Sequence, residues 1–315
     1  MSGSNVLFDA QGPKGRRLSL ILSGVGLLLL AAGAAWVYSV LAAPRVATSG
    51  VELPSMLDPS RWDIFLDPRV WNRIIFVGVA NTLKAASVAA VGAVALGVVF
   101  SLLRSAQTRW IRIPIAIILE FFRGMPVLLM MLFILLAGST GAYWAVVIAL
   151  ILYNGALIGE ALRAGLVALP RGQREAGLSL GMRPLQSRLL VEFPQAFRQM
   201  LPIIVAQLVV LLKDTSLGFI VGYPELIRVT MNNIASAVGN RYLFSLFFVT
   251  LVLYLIMNLS LSWFARWLSR RTASGGKAGR AGRGRRRPPE DPNDAMLNMR
   301  QASTDAAASA TGGSV

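Results

Sequence analysis

Residues 174–190 read REAGLSLGMRPLQSRLL, a polar stretch in an otherwise apolar chain. It contains two short helical patterns joined at Gly181, an outline that is also typical of a helix-turn-helix DNA reader. The chain carries 31 Lys and Arg against 15 Asp and Glu, a net charge of +16 that by itself also fits nucleic-acid binding. The surroundings of the stretch decide which role it has.

The composition indicates an integral membrane protein. Of 315 residues, 55% are hydrophobic and 15% are charged, and the mean hydropathy is +0.60. The absence of Cys and His removes thiol nucleophiles, imidazole bases and the commonest zinc ligands. There is also no Gly-x-Ser-x-Gly elbow and no phosphate-binding loop. We therefore predict no catalytic residue, no metal site and no cofactor bound by this chain, and a membrane enzyme is disfavoured.

Six apolar segments are long enough to cross a bilayer, which takes about 20 helical residues. They are 18–41, 85–103, 113–137, 142–162, 202–221 and 242–267. Basic residues without nearby acids precede the first segment, join the second to the third and the fourth to the fifth, and follow the sixth. Since Lys and Arg are retained in cytoplasmic loops, both termini are predicted to be cytoplasmic in a bacterial cell membrane.

These segments predict the domain organisation. We expect a cytoplasmic N-terminus (1–17), an extra transmembrane helix (18–41), an extracytoplasmic loop (42–78), a transmembrane domain (79–268) and a basic cytoplasmic tail (269–315). The first helix also has the outline of a signal peptide, but its length favours an uncleaved span. The tail lacks periodicity and is predicted to be disordered, serving either as a solvated topogenic tail or as a contact for anionic lipid.

The quoted stretch lies in the predicted cytoplasmic loop between the fourth and fifth spans. A turn tethered to the membrane at both ends cannot easily place a recognition helix in a major groove, so we predict no nucleic-acid partner. A membrane-tethered DNA-binding regulator is therefore a remote alternative, recognisable by strongly salt-dependent binding to a defined DNA sequence.

The spacing of this loop resembles the cytoplasmic motif of the membrane subunits of binding-protein-dependent ABC importers. That motif is Glu-Ala-Ala, three residues, Gly, nine residues, Ile, any residue, Leu, Pro. The matches, without a gap, are Glu175, Ala176, Gly181 and Pro194. The departures, each small or volume-conserving, are Gly177 for Ala, Val191 for Ile and Phe193 for Leu.

The resemblance implies a short coupling helix, a turn and a second helix, with the coupling helix docked on a separate ATPase subunit that binds ATP and Mg²⁺. The local chemistry agrees, because Pro170 suits a helix start and Gly181 permits a turn that a Cβ would obstruct. Small residues at Ala176 and Gly177 are expected to allow close approach. The residues predicted to form the coupling loop are Arg171, Gly172, Gln173, Glu175, Ala176, Gly177, Gly181 and Pro194.

Further stretches resemble the polar amino acid branch of these permeases. Residues 120–126 read EFFRGMP, similar to that branch's EFFRGTP, and residues 212–217 read its signature LKDTSL. The resemblance covers roughly 79–268 and implies an all-α integral membrane protein with the type I ABC importer permease fold. It also implies a dimer of ATPase subunits, a second permease that is the same or a related chain, an extracytoplasmic amino-acid-binding protein, and glutamate or glutamine as the leading substrate.

Two charged pairs lie within the predicted spans, where charges are costly and therefore informative. Glu120 with Arg123 and Glu160 with Arg163 are spaced i, i+3, so each pair can neutralise itself on one helix face. They are either structural ion pairs at the inner rim of the membrane or parts of an inner gate.

Lys213 and Asp214 differ, because adjacent helical residues point about 100° apart and do not face each other. Each needs a partner from another helix or from a ligand. We predict that Lys213, Asp214, Thr215 and Ser216 line the translocation pathway, the alternative being burial between helices. A zwitterionic substrate suits this set, since Lys213 could meet a carboxylate and Asp214 an ammonium group.

The sequence therefore predicts the permease of an ATP-driven importer that works by alternating access. The main alternative is a secondary transporter driven by an ion gradient. Such transporters often contain two related halves, and this sequence has no internal repeat.

Overall fold

The computed structural model describes residues 13–46, 52–106 and 108–273. Contacts separate the chain into a unit Met1–Arg266 and a second unit from Trp267, of which only helical residues 267–273 are described. The predicted N-terminus 1–17 is described from residue 13, and most of the predicted tail 269–315 lies outside the described residues. Residues 269–273, predicted to be disordered, continue the last helix.

The described residues are helical, except for connecting turns and one short antiparallel pair, β1 (Arg45–Val46) with β2 (Glu52–Leu53). The α-helices are α1 (Pro13–Ala42), α2 (Pro68–Asn72), α3 (Ala80–Arg104), α4 (Arg109–Gly124), α5 (Val127–Gly138), α6 (Gly141–Val167), α7 (Arg171–Ser179), α8 (Pro184–Ser187), α9 (Phe193–Asp214), α10 (Ala235–Val238) and α11 (Leu243–Ala273). Wider π-helical turns at Arg73–Val79, Arg188–Glu192 and Arg228–Ile234 join neighbouring helices. Tighter 3₁₀ turns cover Pro59–Arg61, Asp63–Leu66, Thr215–Phe219 and Asn240–Tyr242.

Close packing of α3 against α6 forms the centre of the core. Small side chains on α3 are fully buried, including Ala85, Ala89 and Ala93. A Cβ at Gly97 would lie 2.7 Å from Ile158 Cγ2, so only glycine fits where these helices cross. This agrees with membrane helix pairs, in which small residues let two backbones approach and gain van der Waals contact.

The extra first helix, α1, is not part of this core. Within the helical stretch Arg17–Ala42, no part of the apolar window is buried against the other described residues. The loop that follows is fixed at Arg61, whose guanidinium donates to the Pro54 carbonyl at 2.9 Å and to the Arg241 carbonyl at 2.9 Å. This buried arginine holds the loop beside the start of α11.

The third predicted span is not one straight helix. The chain bends by 103° between α4 and α5, so the described residues contain five long apolar helices, or six crossings if the bent pair counts as one. Met125 is extended because a residue before proline is excluded from the helical region, and Pro126 then begins α5. About six spans are confirmed, and the continuity predicted for 113–137 is wrong.

The fifth predicted span begins earlier than the sequence indicates. The helical stretch runs from Pro184 to Phe219, and Pro202 lies inside α9 rather than at its start. The apolar run alone marks only the later part of this helix, since its first turns are polar. One continuous helical element therefore leads from the polar loop into the membrane.

Candidate coupling loop and polar pathway

The loop around Gly181 has the helix, turn and helix that its spacing predicts. Gly181 has φ +80°, a left-handed conformation that favours glycine. Its N–H donates to the Leu178 carbonyl at 3.0 Å, and the Met182 N–H donates to the Gly177 carbonyl at 3.2 Å. These two bonds form a Schellman motif, which ends α7 and sets the direction of the next segment.

Gly177 is the buried residue of α7. A Cβ added there would lie 2.6 Å from Ser187 Oγ and 3.1 Å from Ser187 Cβ, so the two arms of the loop meet at this point. Close approach at Gly177 is therefore observed. Ala176 is exposed and approaches nothing closely within this chain, so its close approach to another subunit stays a prediction.

The second arm of the loop begins with the predicted proline. Pro184 is the first residue of α8, and the backbone N–H of Arg183 donates to Gln186 Oε1 at 2.9 Å. Proline suits this position because its missing N–H would have no helical partner. Pro194 lies in the first turn of α9. Gln195 Nε2 donates to Gln173 Oε1 at 3.1 Å, which joins the start of α9 to α7.

The outer face of the loop is polar with a group of exposed leucines. Arg171, Gly172 and Glu175 are all exposed. Leu178, Leu180 and Leu185 are 39%, 79% and 62% exposed around the turn. Sequence reasoning missed these leucines, although apolar residues in a predicted aqueous loop are a signal of a partner surface.

The polar group at the end of α9 is only partly placed as predicted. Lys213 is exposed and Asp214 is half-buried. Among the described residues, no ion pair or hydrogen bond satisfies the side chain of Lys213 or Asp214. The partner that each needs is thus not supplied within the described part of this chain.

Thr215 is fully buried, and its hydroxyl donates to the Leu212 carbonyl at 2.7 Å. It faces the protein interior in this chain, which disagrees with a pathway-lining position. The α-helix also changes to a 3₁₀ turn at Thr215, which continues to Phe219.

Lys213 and Ser216 line one cavity of about 470 Å³, as their i, i+3 spacing allows, whereas Asp214 does not line it. Tyr254 and Asn258 of α11 form part of the opposite wall. Asn258 Oδ1 is buried and has no hydrogen-bond partner among the described residues. The cavity therefore contains the cationic group of Lys213 within mostly apolar walls, and an unsatisfied buried acceptor belongs to one of its lining residues.

Both predicted i, i+3 ion pairs are observed. Arg163 makes a bidentate ion pair with Glu160, with its Nη2 2.6 Å from Oε1 and its Nε 3.0 Å from each carboxylate oxygen. Arg123 reaches Glu120 at 3.4 Å, and the Glu120 side chain is 79% exposed. The second pair lies at the end of α4, directly before the bend.

A buried network around Glu225 was not predicted. Glu225 is fully buried in the segment between the last two apolar helices. Its carboxylate accepts hydrogen bonds from the N–H of Ile227 at 2.9 Å, the N–H of Arg228 at 2.7 Å and the Tyr254 hydroxyl at 2.8 Å. Burial raises the pKa of the Glu225 carboxyl, while these hydrogen bonds act in the opposite direction.

Thr82 extends this network to α3, since its Oγ1 accepts from the Leu226 N–H at 3.1 Å and donates to the Gly78 carbonyl at 2.9 Å. We call Thr82, Glu225, Leu226 and Tyr254 the Glu225 network. Pro224 followed by Glu225 at a helix start is the sequence signal that could have indicated an N-terminal cap. The network anchors the segment after the polar pathway residues to two membrane helices.

A second polar contact was also missed, between α6 and α9. Gln207 Nε2 donates to Asn154 Oδ1 at 2.8 Å, and Asn154 Nδ2 donates to the Leu150 carbonyl at 2.9 Å. Asn154 is fully buried. Amide pairs between membrane helices add a modest stabilisation and define how the helices pack.

A bundle of apolar helices with a polar helix-turn-helix loop is the arrangement expected of an integral membrane permease of the ABC importer class. Residues 93–274 match the family described as binding-protein-dependent transport system inner membrane component, and the chain belongs to that family. The match excludes α1, as the sequence resemblance does.

Curated relatives agree with the polar amino acid branch. The chain is 36% identical over 253 residues to the glutamate transport system permease protein GluD of Corynebacterium glutamicum, covering 76% of this chain and 89% of the relative. It is 33% identical to the probable glutamine ABC transporter permease protein GlnP of Bacillus subtilis, covering 61% and 90%.

Solved structures agree with the fold. An amino acid ABC transporter crystallised with histidines is 28% identical, with a TM-score of 0.58 over 64% of this chain and 95% of that chain. The inward-facing methionine ABC transporter MetNI is 19% identical with a TM-score of 0.55 over 65% and 98%, and it shows the fold alone. The chain is therefore a multi-span cell-membrane permease of the polar amino acid ABC importers, with the type I fold.

Proposed function

We propose that this permease carries glutamate or glutamine across the membrane by alternating access, driven by ATP hydrolysis on separate ATPase subunits that bind ATP and Mg²⁺. The observation that carries this proposal is the coupling loop. Its turn is fixed by the Schellman bonds at Gly181, and Leu178 and Leu180 beside the turn are exposed. A rigid, exposed apolar knob on a short helix is suited to a groove on another subunit.

The path from this loop to the pathway residues is a single helical element. The two arms of the loop pack closely at Gly177 and Ser187, and α9 then runs to Lys213 and Asp214. At 1.5 Å per residue, the 22 residues of α9 span about 33 Å. A displacement of the loop by the ATPase would therefore reach the Lys213 end of α9 as a rigid-body movement.

Substrate recognition is assigned to Lys213, Ser216 and Asp214. Lys213 has no carboxylate partner among the described residues, so a substrate carboxylate can approach it. The similarity to a glutamate permease supports glutamate as the first substrate to test, with glutamine second. Thr215 is proposed to support the helix end rather than to contact substrate.

The family implies an ATPase and an extracytoplasmic binding protein as partners. We further propose that two ATPase subunits and a second permease chain, identical or related, complete the importer. Copurification of two differently tagged copies from one membrane preparation would identify a homodimer. Recovery of a related permease without the second tag would identify a heterodimer.

The coupling loop is tested with a Gly181→Trp variant, purified in mild detergent with mass spectrometry of bound proteins. The matched control is Gly141→Trp, because Gly141 also has a positive φ, +76°, and open space at its Cβ but lies outside the loop. We expect the ATPase to remain with the wild type and the control and to be lost from the Gly181 variant. Equal ATPase recovery in all three would contradict the coupling role.

Substrate recognition is tested by uptake of labelled glutamate and glutamine into vesicles containing the complete importer. A Lys213→Ala variant is compared with Lys84→Ala, since Lys84 is another exposed lysine on an apolar helix. We expect affinity to fall for Lys213→Ala alone, and unchanged affinity and rate would remove Lys213 from the pathway. Uptake that survives ATP depletion but stops when the ion gradient collapses would favour a secondary transporter.

A further inference from the structure

A second cavity, of about 560 Å³, lies beside the coupling loop, and six of its thirteen lining residues are arginines. We call it the arginine cavity. Its charged lining residues are Arg104, Arg112, Arg163, Arg171, Arg174, Arg188 and Glu192. They come from the end of α3, the start of α4, the end of α6 and both arms of the coupling loop. Retention of basic residues in cytoplasmic loops does not require that they converge on one space.

The positive charge of this cavity is not balanced within the described residues. Only Arg163 has an ion pair there, with Glu160, while Arg188 donates to the Ser105 carbonyl. Glu192 is 8% exposed and is the one carboxylate in the lining. The other five guanidinium groups have no ion pair among the described residues, so their like charges repel one another, and an anion between them would offset that repulsion.

The cavity lies at the level where the membrane helices end. Val167, in its wall, is 72% exposed, and Trp110, near the start of α4, is 90% exposed. An exposed tryptophan next to arginines is typical of the boundary between lipid tails and headgroups. The lining thus combines a polar interior with apolar residues available to acyl chains.

We propose that the arginine cavity binds a phosphate group. Planar guanidinium groups bind phosphate oxygens through paired hydrogen bonds, and the lining contains six arginines and no lysine. Its volume is within the range of about 300–1,000 Å³ usual for small-ligand sites. Basic pockets between membrane helices bind anionic headgroups, and the positive end of α7 at Arg171 adds to the attraction.

The source of the phosphate is either an anionic phospholipid headgroup or a soluble phosphate. A bound group would connect the coupling loop to α3, α4 and α6 at the membrane surface. This site does not depend on which amino acid is transported.

The test uses the full chain in its complex with the ATPase, purified in mild detergent. Native mass spectrometry measures retained phosphatidylglycerol against phosphatidylcholine, and equilibrium dialysis measures inorganic phosphate. The variant is Arg104→Gln with Arg112→Gln, neither of which we place in the coupling machinery. The matched control is Arg109→Gln with Arg198→Gln, which removes the same charge from exposed arginines outside the lining.

We expect binding of one probe to weaken at least about tenfold in the variant and to stay unchanged in the control. The variant loses charge-assisted hydrogen bonds to the phosphate, and the loss of one such bond is enough for a change of this size. Selective loss of phosphatidylglycerol identifies a lipid headgroup, and loss of inorganic phosphate without lipid selectivity identifies a soluble ligand. Equal binding by all three proteins, or binding of neither probe, overturns the proposal. Loss of the ATPase with unchanged binding of both probes also overturns it and makes the cavity a protein contact.

A variant that fails to fold would show an altered elution volume. The second variant, Arg104→Lys with Arg112→Lys, then replaces it, since it keeps the charge but removes the planar donor pairs. We expect it to bind between the wild type and the Gln variant, and wild-type binding would contradict recognition by guanidinium groups.

Discussion

The Glu225 network and the arginine cavity both contain charged groups near helix ends, but they differ in how many of these groups have a partner among the described residues. The Glu225 carboxylate is fully paired, whereas only Arg163 and Arg188 of the six cavity arginines have a partner. Glu225 has three donors at 2.9 Å or less and no exposed surface. The arginine cavity has six cations, one lining carboxylate and an opening to solvent. The comparison suggests that charges satisfied internally define the fold, whereas charges left without an internal partner mark contacts with other molecules.

The largest expected effect comes from removing the acceptor of the buried network. Glu225→Ala leaves the N–H groups of Ile227 and Arg228 and the Tyr254 hydroxyl without their partner. Since each unsatisfied buried group costs about 1–3 kcal/mol, we expect a loss of at least about 3 kcal/mol in stability. The measurement is the thermal unfolding midpoint in detergent.

Glu225→Gln is the matched variant, because its amide oxygen can still accept some of these hydrogen bonds. We expect it to lie between the wild type and Glu225→Ala. An unchanged midpoint for the Ala variant would mean that the network is not what anchors this segment, and the contrast with the arginine cavity would fail.

The sequence predicted the parts of the molecule that depend on local pattern. Hydrophobic length indicated the spans, and the spacing around Gly181 indicated the turn. It could not indicate that Glu225 is buried, because the burial depends on packing and on a donor from Tyr254, 29 residues later. The bend at Pro126 was readable from the proline, but the apolar run on both sides outweighed it.

The arginines were also interpreted one loop at a time. Their number in each loop predicted the membrane topology, but a cavity requires knowing that α3, α6 and the coupling loop meet. The same limit explains Thr215, which follows Lys213 and Asp214 in the sequence but faces the interior. Adjacent positions on a helix point in different directions, and only the packing tells which of them is covered.

A smaller effect is expected where the two arms of the coupling loop touch. Gly177→Ala would place a methyl group 2.6 Å from Ser187 Oγ. We expect a cost of about 1–2 kcal/mol, as for other overpacked sites, and reduced ATPase recovery. Gly172→Ala is the control, because a Cβ there meets nothing within 4 Å.

A double-mutant cycle sharpens this prediction. Ser187→Ala removes the oxygen nearest to the added methyl group, so Gly177→Ala should cost less in that background. Additive costs would show that the two residues are not in contact and that the two arms of the loop are held together at other residues.

The amide pair between α6 and α9 is expected to matter less again. Gln207→Leu leaves Asn154 Oδ1 without its donor, and we expect a loss of about 1 kcal/mol, within the range measured for hydrogen bonds between membrane helices. The double change Asn154→Leu with Gln207→Leu should cost less than the two single changes summed. Strict additivity would show that the bond contributes nothing as a pair.

The smallest effect is expected at the exposed ion pair. Glu120 is 79% exposed and 3.4 Å from Arg123, so Glu120→Gln should change the unfolding free energy by at most about 0.5 kcal/mol. Glu160→Gln, in the shorter and less exposed pair with Arg163, is the internal reference and should cost more. If Glu120→Gln leaves the unfolding midpoint unchanged but alters the transport rate, this pair acts in the gate. If the unfolding midpoint and the transport rate are both unchanged, the exposed charges of Glu120 and Arg123 are simply solvated. The rule that charges without an internal partner mark contacts with other molecules then does not apply at the bend after α4.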